Sequence, residues 1–322
     1  VPGNKPSPHV GGRRSDESSY FQLVKPGLRV ALVIEWGYPM SRIEDFQVRT
    51  MRREELSFAI DLAAREGWNP GLHDGECFFA ADPNGFLIGE LAGEPVGCIS
   101  AVSYAGCYGF VGLYIVRPEF RGQGYGLRLW QAGMSRLRGH NIGLDGVVAQ
   151  QGNYARSGFR FAYRSVRYRA LAEPVAVHAS IMPAAAVAFE AIRDFDRQIF
   201  PEPRDGFLRA WLAQSKAGAY VAREGGRLTG YTVIRRCREG WKIGPLAADD
   251  ALIARRLYDA AAAHAGAGEA ILIDVPEPNF GSASFLSAPG VLPVFETARM
   301  YTGAEPAIIL PKMFGVTTLE LG

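Results

Sequence analysis

The chain has 322 residues, 48% hydrophobic and 21% charged, with a formal net charge of +2. That is enough for about two domains with full cores, and the near-neutral balance excludes both a strongly basic nucleic-acid surface and an acidic tail. No apolar run approaches the ~20 residues that span a bilayer; the stretch 30–34 is too short even for a signal-peptide core, and no long apolar run follows Arg13-Arg14. Residues 1–25 are rich in Pro, Gly, Ser and charge, which predicts disorder. A domain begins just after Met40, so the residues before it, and up to 43, are expected to be an extension. From there the elements can be placed in order. A short strand at 46–50 leads to a helix at 53–66, with Leu56, Ala59, Ile60 and Ala63 on its apolar face and Gly67 as its stop. After the Trp68-Asn69-Pro70-Gly71 turn comes a short helix at 74–81, with Asp74 as N-cap. Strands at 86–91 and 96–104 form a hairpin across Ala92-Gly93-Glu94-Pro95. A strand at 110–116, apolar on both faces, runs through a glycine-rich loop into a helix with Leu127, Trp130, Met134 and Leu137 in one stripe. Strands at 144–149 and 159–169 close the first half, joined by a short connection at 150–158.

Beyond a boundary near Pro174 the order repeats. Strand 175–180 and helices 184–195 and 205–214 precede strands at 219–223, 228–236 and 241–246, then helix 250–265, strand 270–275, helix 281–287 and strand 292–301. Even the hairpin turns correspond, Gly93-Glu94-Pro95-Val96-Gly97 beside Gly226-Arg227-Leu228-Thr229-Gly230. A repeat of domain length means two copies of one fold, divided here into 44–172 and 173–322, rather than a solenoid. The four cysteines, Cys77, Cys98, Cys107 and Cys237, lack the paired spacing of a zinc or redox site. They are expected to be free thiols in a reducing, cytoplasmic setting, with no metal bound.

Gly122, Gly124 and Gly126 lie where a helix begins, and a helix start has unpaired N–H groups and a partial positive charge. That combination is an anion site, most often for phosphate. A nucleoside-triphosphate loop is excluded because no Gly-Lys-Ser/Thr follows. A dinucleotide fold fits poorly, because its strand comes first in a parallel unit and this one comes fourth, after an antiparallel hairpin. Taken with the element order, Arg121-x-x-Gly124-x-Gly126, entered through Val116-Arg117-Pro118, resembles the GNAT family of acyl-CoA-dependent N-acetyltransferases.

The resemblance implies an α/β (α+β) fold of two GNAT-like domains, each a mixed, mostly antiparallel, splayed sheet flanked by helices. It implies acetyl-CoA as co-substrate, wedged between the splayed strands. The amides of Arg121, Gly122, Gln123, Gly124, Tyr125 and Gly126 would hold the pyrophosphate, and the backbone of Tyr114, Ile115 and Val116 the pantetheine arm. A backbone N–H at Val116 or a neighbour would polarise the thioester. The family's Asn…Tyr-x-x-x-Gly-Phe motif ends here as Tyr154-Ala155-Arg156-Ser157-Gly158-Phe159, which makes Tyr154 the candidate proton donor to the thiolate and puts Asn153 in the cofactor set. The asparagine is closer to the glycine than the family has it, so the helix is cut short. Trp68 and Asn69 fall where the family lines its acceptor pocket; Glu76, His73, Asp74 and Tyr114 are the weaker candidates for a base.

In the second half, Asn279 to Gly290 keeps the family spacing, but Leu286 stands at the tyrosine position. Ala247-Ala248-Asp249-Asp250-Ala251 replaces the glycine loop, and two carboxylates at a helix start repel a pyrophosphate and suit capping. The second half is expected to shape the acceptor site of the first, with Asp274-Val275-Pro276-Glu277 facing it or capping a loop. The expected function is acetyl transfer to a primary amine, with a non-catalytic acyl-CoA-binding protein as the alternative. The expected partners are a small-molecule or peptide amine, with no nucleic acid or membrane and with a homodimer as the assembly to test.

Overall fold

A computed structural model describes residues 45–282 and 286–322. The extension read before residue 44 and the centre of the helix read at 281–287 lie outside these residues. The first half is built from β1 (Phe46–Thr50), α1 (Leu56–Arg65), α2 (Asp74–Ala81), β2 (Phe86–Leu91), β3 (Glu94–Tyr104), β4 (Tyr108–Val116), α3 (Tyr125–Arg136), β5 (Asn141–Val147), α4 (Gln151–Arg156) and β6 (Arg160–Leu171). The second half follows as β7 (Ile181–Pro183), α5 (Phe189–Asp196), α6 (Asp205–Leu212), β8 (Gly218–Glu224), β9 (Arg227–Arg236), β10 (Trp241–Ala248), α7 (Ala251–Ala265), β11 (Ala270–Pro276) and β12 (Leu292–Tyr301). A last strand, β13 (Met313–Gly315), has no counterpart in the first half. The strand read at 175–180 is displaced: the strand is the three residues of β7, and 175–178 have no regular structure. The helix read at 184–195 is a 3-10 turn at Ala184–Ala186 followed by α5.

All of the described strands belong to one sheet, in the order β1-β2-β3-β4-β5-β12-β6-β11-β10-β9-β8-β7. The two halves have exchanged their final strands. β12 lies antiparallel between β5 and β6, pairing Ala298 with Gly146 and with Arg164. β6 in turn pairs with β11 from Ala270↔Leu171 to Pro276↔Ser165. The division at 172–173 is therefore one of sequence, while the sheet runs on through both halves.

Side chains follow from that arrangement. On α1, Leu56, Ala59, Ile60 and Ala63 are buried, as the helical period requires. On α3 the buried residues are Tyr125, Leu129 and Gly133, and Leu127 is 59% exposed. The stripe read through Leu127 and Trp130 belongs to the face beside a cavity. Asp74 is the first residue inside α2 rather than its cap. It accepts from the Gly71 N–H at 2.8 Å and from Arg235 Nε at 2.9 Å, a buried ion pair that ties α2 to β9 of the other half.

Bidentate ion pairs link the central strands. Arg167 on β6 holds Asp274 on β11 at 2.6 and 2.9 Å, and Arg299 on β12 holds Asp145 on β5 at 2.9 and 2.6 Å. Burial alone would lift the Asp274 carboxyl, but the Arg167 charge outweighs it and holds it below the usual range. At Asp145 burial prevails over Arg299 and the carboxyl is raised.

Candidate active site

The site begins with a bulge in β4. Ser100 pairs with Gly112 and Cys98 with Ile115, so β4 gains a residue against β3, and Leu113 takes a positive φ of 44°. The buried Cys98 thiol donates to the Leu113 carbonyl at 3.1 Å. Past this point β4 leaves β5, and their parallel pairing, begun at Tyr108↔Asn141, stops at Val111↔Leu144. Between the diverging strands opens a cavity of about 730 Å³, walled by 112–116 on one side and 145–147 on the other. The Arg117 N–H bonds back to Val96 on β3 at 2.9 Å. By strand alternation the Val116 N–H and C=O then face the cleft.

One end of the cavity is the start of α3. Gly124 caps it with φ 87°, and Gly122 has φ 75°, conformations that cost any other residue strain. Arg121 is tied to the loop by donating to the Val116 carbonyl at 2.8 Å, and it pairs with Glu66. Gln123 donates to the Glu119 carbonyl at 3.2 Å, and the Tyr125 ring is buried against Phe46 at 4.8 Å. Neither of these two residues is among those that line the cavity. Asp249 and Asp250, at the matching helix start of the second half, are engaged otherwise. Asp250 caps α7 through the Ile253 N–H at 2.8 Å, and Asp249 pairs with Arg227 at 2.6 Å and Lys312 at 2.8 Å.

The opposite wall is aromatic. Trp130 stands 5.4 Å from Tyr114 and 5.7 Å from Tyr154, ring centre to ring centre. Short as α4 is, Tyr154 reaches the cavity because position 146 is glycine: a Cβ there would lie 2.3 Å from its ring. Burial, then the neighbouring Tyr114, pushes the Tyr154 hydroxyl up to about 12, so it keeps its proton at neutral pH. Tyr114 is raised by burial. Asn153 lines the same wall, its amide shared between Gln150 and Arg156.

Of the two acceptor-side residues, Trp68 lines the cavity and Asn69 does not. Both ends of the Asn69 amide are used by the Glu239 backbone, at 2.8 and 3.0 Å, which makes it a clamp onto the β9–β10 turn. Among the candidate bases, Asp74 is locked to Arg235 and Glu76 to Arg53, and with His73 they lie away from the cavity. Asp274 is paired within the sheet layer. The structure adds Arg167, Phe295, Thr297, Leu319 and Glu320 to the lining, all but Arg167 from the second half. For Leu319 and Glu320 the only signal in the sequence was a Thr-Thr-Leu-Glu-Leu stretch at 317–321.

A helix start with left-handed glycines, beside splayed strands, suits a pyrophosphate joined to an extended amide chain. Comparison with known proteins gives the family. The acetyltransferase (GNAT) family description matches residues 48–159, and an acetyltransferase (GNAT) domain description matches 192–315. Holothin acyltransferase of Pseudoalteromonas sp. (strain SANK 73390) is 32% identical over 270 residues, covering 84% of this chain and 92% of that protein. The chain belongs to the GNAT family. It is a tandem GNAT acyltransferase, and members of the family use acetyl-CoA as co-substrate. Its fold is shared with a putative acetyltransferase from Pyrococcus horikoshii, at TM-score 0.75 and 21% identity over 87% of this chain and 96% of the other. It is shared also with a tandem GNAT protein from the clavulanic acid biosynthesis pathway, at TM-score 0.57 and 14% identity over 81% and 99%. No helix among the described residues is long and apolar enough to cross a membrane.

Proposed function

We propose that this GNAT acyltransferase moves an acetyl group from acetyl-CoA to a primary amine in the cleft between β4 and β5. The observation that carries the reading is the coincidence of the β4 bulge, the cavity it opens and the glycine start of α3 at its mouth. The amides of 121–126 receive the pyrophosphate, and the cleft-facing backbone of Tyr114 and Val116 pairs with the pantetheine, while Ile115 stays paired to Cys98 of β3. When bound, acetyl-CoA supplies an activated acyl carbonyl. The Val116 N–H is placed to polarise that carbonyl. The neutral Tyr154 hydroxyl holds a proton for the departing sulfur. In this reading the second half contributes acceptor-side wall and no second transfer site, because residues 313–316 fill its corresponding strand gap.

The relative's name makes holothin the first acceptor to try. The test is calorimetric binding of acetyl-CoA followed by thiol release with holothin and a panel of primary amines and peptides. Absence of acetyl-CoA binding overturns the reading; binding without thiol release for any acceptor favours a binding-only protein. Two substitutions sharpen it. Tyr154→Phe is expected to lower kcat about 100-fold, within the range for a lost general acid, with little change in acetyl-CoA affinity. A near-normal kcat at saturation removes Tyr154 from the mechanism. Gly124→Ala forces a side chain into left-handed backbone at a cost of about 1–2 kcal/mol, and is expected to weaken acetyl-CoA binding about tenfold.

A further inference from the structure

In the first half the gap between the two parallel central strands is the cavity. In the second half the equivalent strands are β10 and β11, paired from Trp241↔Ile271 to Ile243↔Ile273 and then parted. That gap is filled by the chain itself. β13 pairs with β10 at Leu246↔Gly315 and Ala247↔Met313, and the Val316 N–H donates to the Asp274 carbonyl of β11 at 2.8 Å. Phe314, Gly315 and Val316 are buried there.

The same segment then crosses to the first half. Arg204 holds it by donating to Thr317 Oγ1 at 2.9 Å and the Gly322 carbonyl at 3.2 Å, and Tyr104 donates to the Leu321 carbonyl at 3.1 Å. It passes directly under the β4 bulge. A Cβ on Gly112 would lie 2.1 Å from the Glu320 carbonyl oxygen. This approach sets Glu320, 4% exposed, in the wall of the cavity.

Glu320 differs from the other buried carboxylates around it. Asp74, Asp145 and Asp274 each hold an arginine. Glu320 has no ion pair among the described residues; its carboxylate accepts from the Thr318 hydroxyl, which in turn accepts from the Glu320 N–H at 2.9 Å. The charged groups that feel it are Arg167 on β6, Arg235 on β9, Lys242 on β10 and Asp145 on β5, with Asp274 on β11 beside Asp145. Nearby, Thr297 Oγ1 lines the cavity, buried and without a hydrogen-bond partner. Trp68 and Phe295 add aromatic walls, joined through Arg167, which donates to the Trp68 carbonyl at 2.7 Å and lies 5.3 Å from the Phe295 ring.

We propose that Glu320 accepts the proton of the acceptor amine, and that the chamber between Trp68, Phe295 and Thr297 takes a compact, flat primary amine that presents its ammonium to this carboxylate. The proposal rests on the transfer reading above. The Glu320 carboxylate takes one proton from the ammonium. The freed nitrogen lone pair forms the bond to the acyl carbon, and the carbon–sulfur bond breaks with its electron pair on sulfur. The second proton leaving nitrogen is matched by the one the thiolate gains, and the proton on Glu320 passes to solvent. The chain that closes one cleft thus supplies the base of the other.

The test uses the full chain with E320Q and E320D, and benzylamine beside benzyl alcohol as probes. In E320Q, kcat/KM for benzylamine is expected to fall at least 100-fold, and the remaining rate is expected to follow the free-amine fraction, so that its low-pH limb moves up to the titration of benzylamine itself. E320D should keep the limb where the wild type has it. Acetyl-CoA affinity should be unchanged in both. The CoA-saturated E320Q enzyme should bind benzylamine at least tenfold more weakly and bind benzyl alcohol as the wild type does. Transfer by E320Q within threefold of wild type, or unchanged benzylamine affinity, overturns the proposal. So does loss of acetyl-CoA affinity in both variants, which assigns Glu320 to the frame. A wild type that binds acetyl-CoA and acylates neither benzylamine, holothin nor the amine panel removes the transfer reading itself, and the proposal with it.

Discussion

Replacing Asp274 by alanine is expected to lower the free energy of unfolding by about 3–5 kcal/mol, the cost of leaving a buried charge without its partner. The stranded group is Arg167, 3% exposed, whose two bonds to Asp274 cross from β6 to β11. Arg167 also donates to the Trp68 carbonyl at 2.7 Å, and that oxygen cannot neutralise a guanidinium. Equilibrium denaturation in urea measures the loss. The double variant Arg167→Met with Asp274→Leu should recover much of it, since an apolar pair of similar volume avoids the desolvation of two ions. If the single and double variants are equally unstable, the arginine is not the source of the cost. Activity should follow stability only in part, because Arg167 also lines the acceptor side of the cavity.

The second large effect is expected at Gly112→Ala. The added methyl meets backbone rather than a movable side chain, with the Glu320 carbonyl oxygen at 2.1 Å and its Cα at 3.0 Å. Either β4 or the 313–322 segment has to move. Overpacking of this kind costs about 1–3 kcal/mol. A shift of about 1 Å at a positioned group can cost about 100-fold in rate, so kcat/KM should fall far more than stability accounts for. The readout is turnover measured at a temperature well below the variant's Tm. A variant with lowered Tm and normal kcat/KM would show that the segment can retreat without affecting the site.

Much of the architecture was legible because it is local. The bounds read for β1, α2, β2 and β12 are those of the structure, since each has its turn residues and its hydrophobic period in the sequence itself. The glycine loop was legible for the same reason: positive φ at Gly122 and Gly124 has to be written as glycine. What stayed hidden depends on residues far away in the chain. β6 and β12 have similar patterns, and nothing within either says which half will provide its neighbours. Arg167, Arg235, Lys242 and Arg299 carry no local sign of burial, and Asp274 was read as facing the acceptor or capping a loop, yet all five are buried. Leu127 and Trp130 read as core because a helix face along a cavity is as apolar as one along a sheet. Thr317, Thr318 and Glu320 gave no sign of burial, which comes from Arg204 and from the glycine at 112.

The exchanged strands also dictate a timetable for synthesis. When β5 and β6 leave the ribosome, β5 has only β4 beside it and β6 has neither of its final neighbours. The free edge of β5 waits for β12, and β6 waits for both β11 and β12. An open edge on a half-made sheet is a site for pairing with the wrong chain. Closing so distant a contact is slow, because the entropy of ordering the long intervening chain is lost before the strands begin to pair. The first half must therefore wait, exposed, through the translation of nearly the whole second half. A chain built this way should depend on holdase chaperones during translation more than a pair of independently folding domains of the same length.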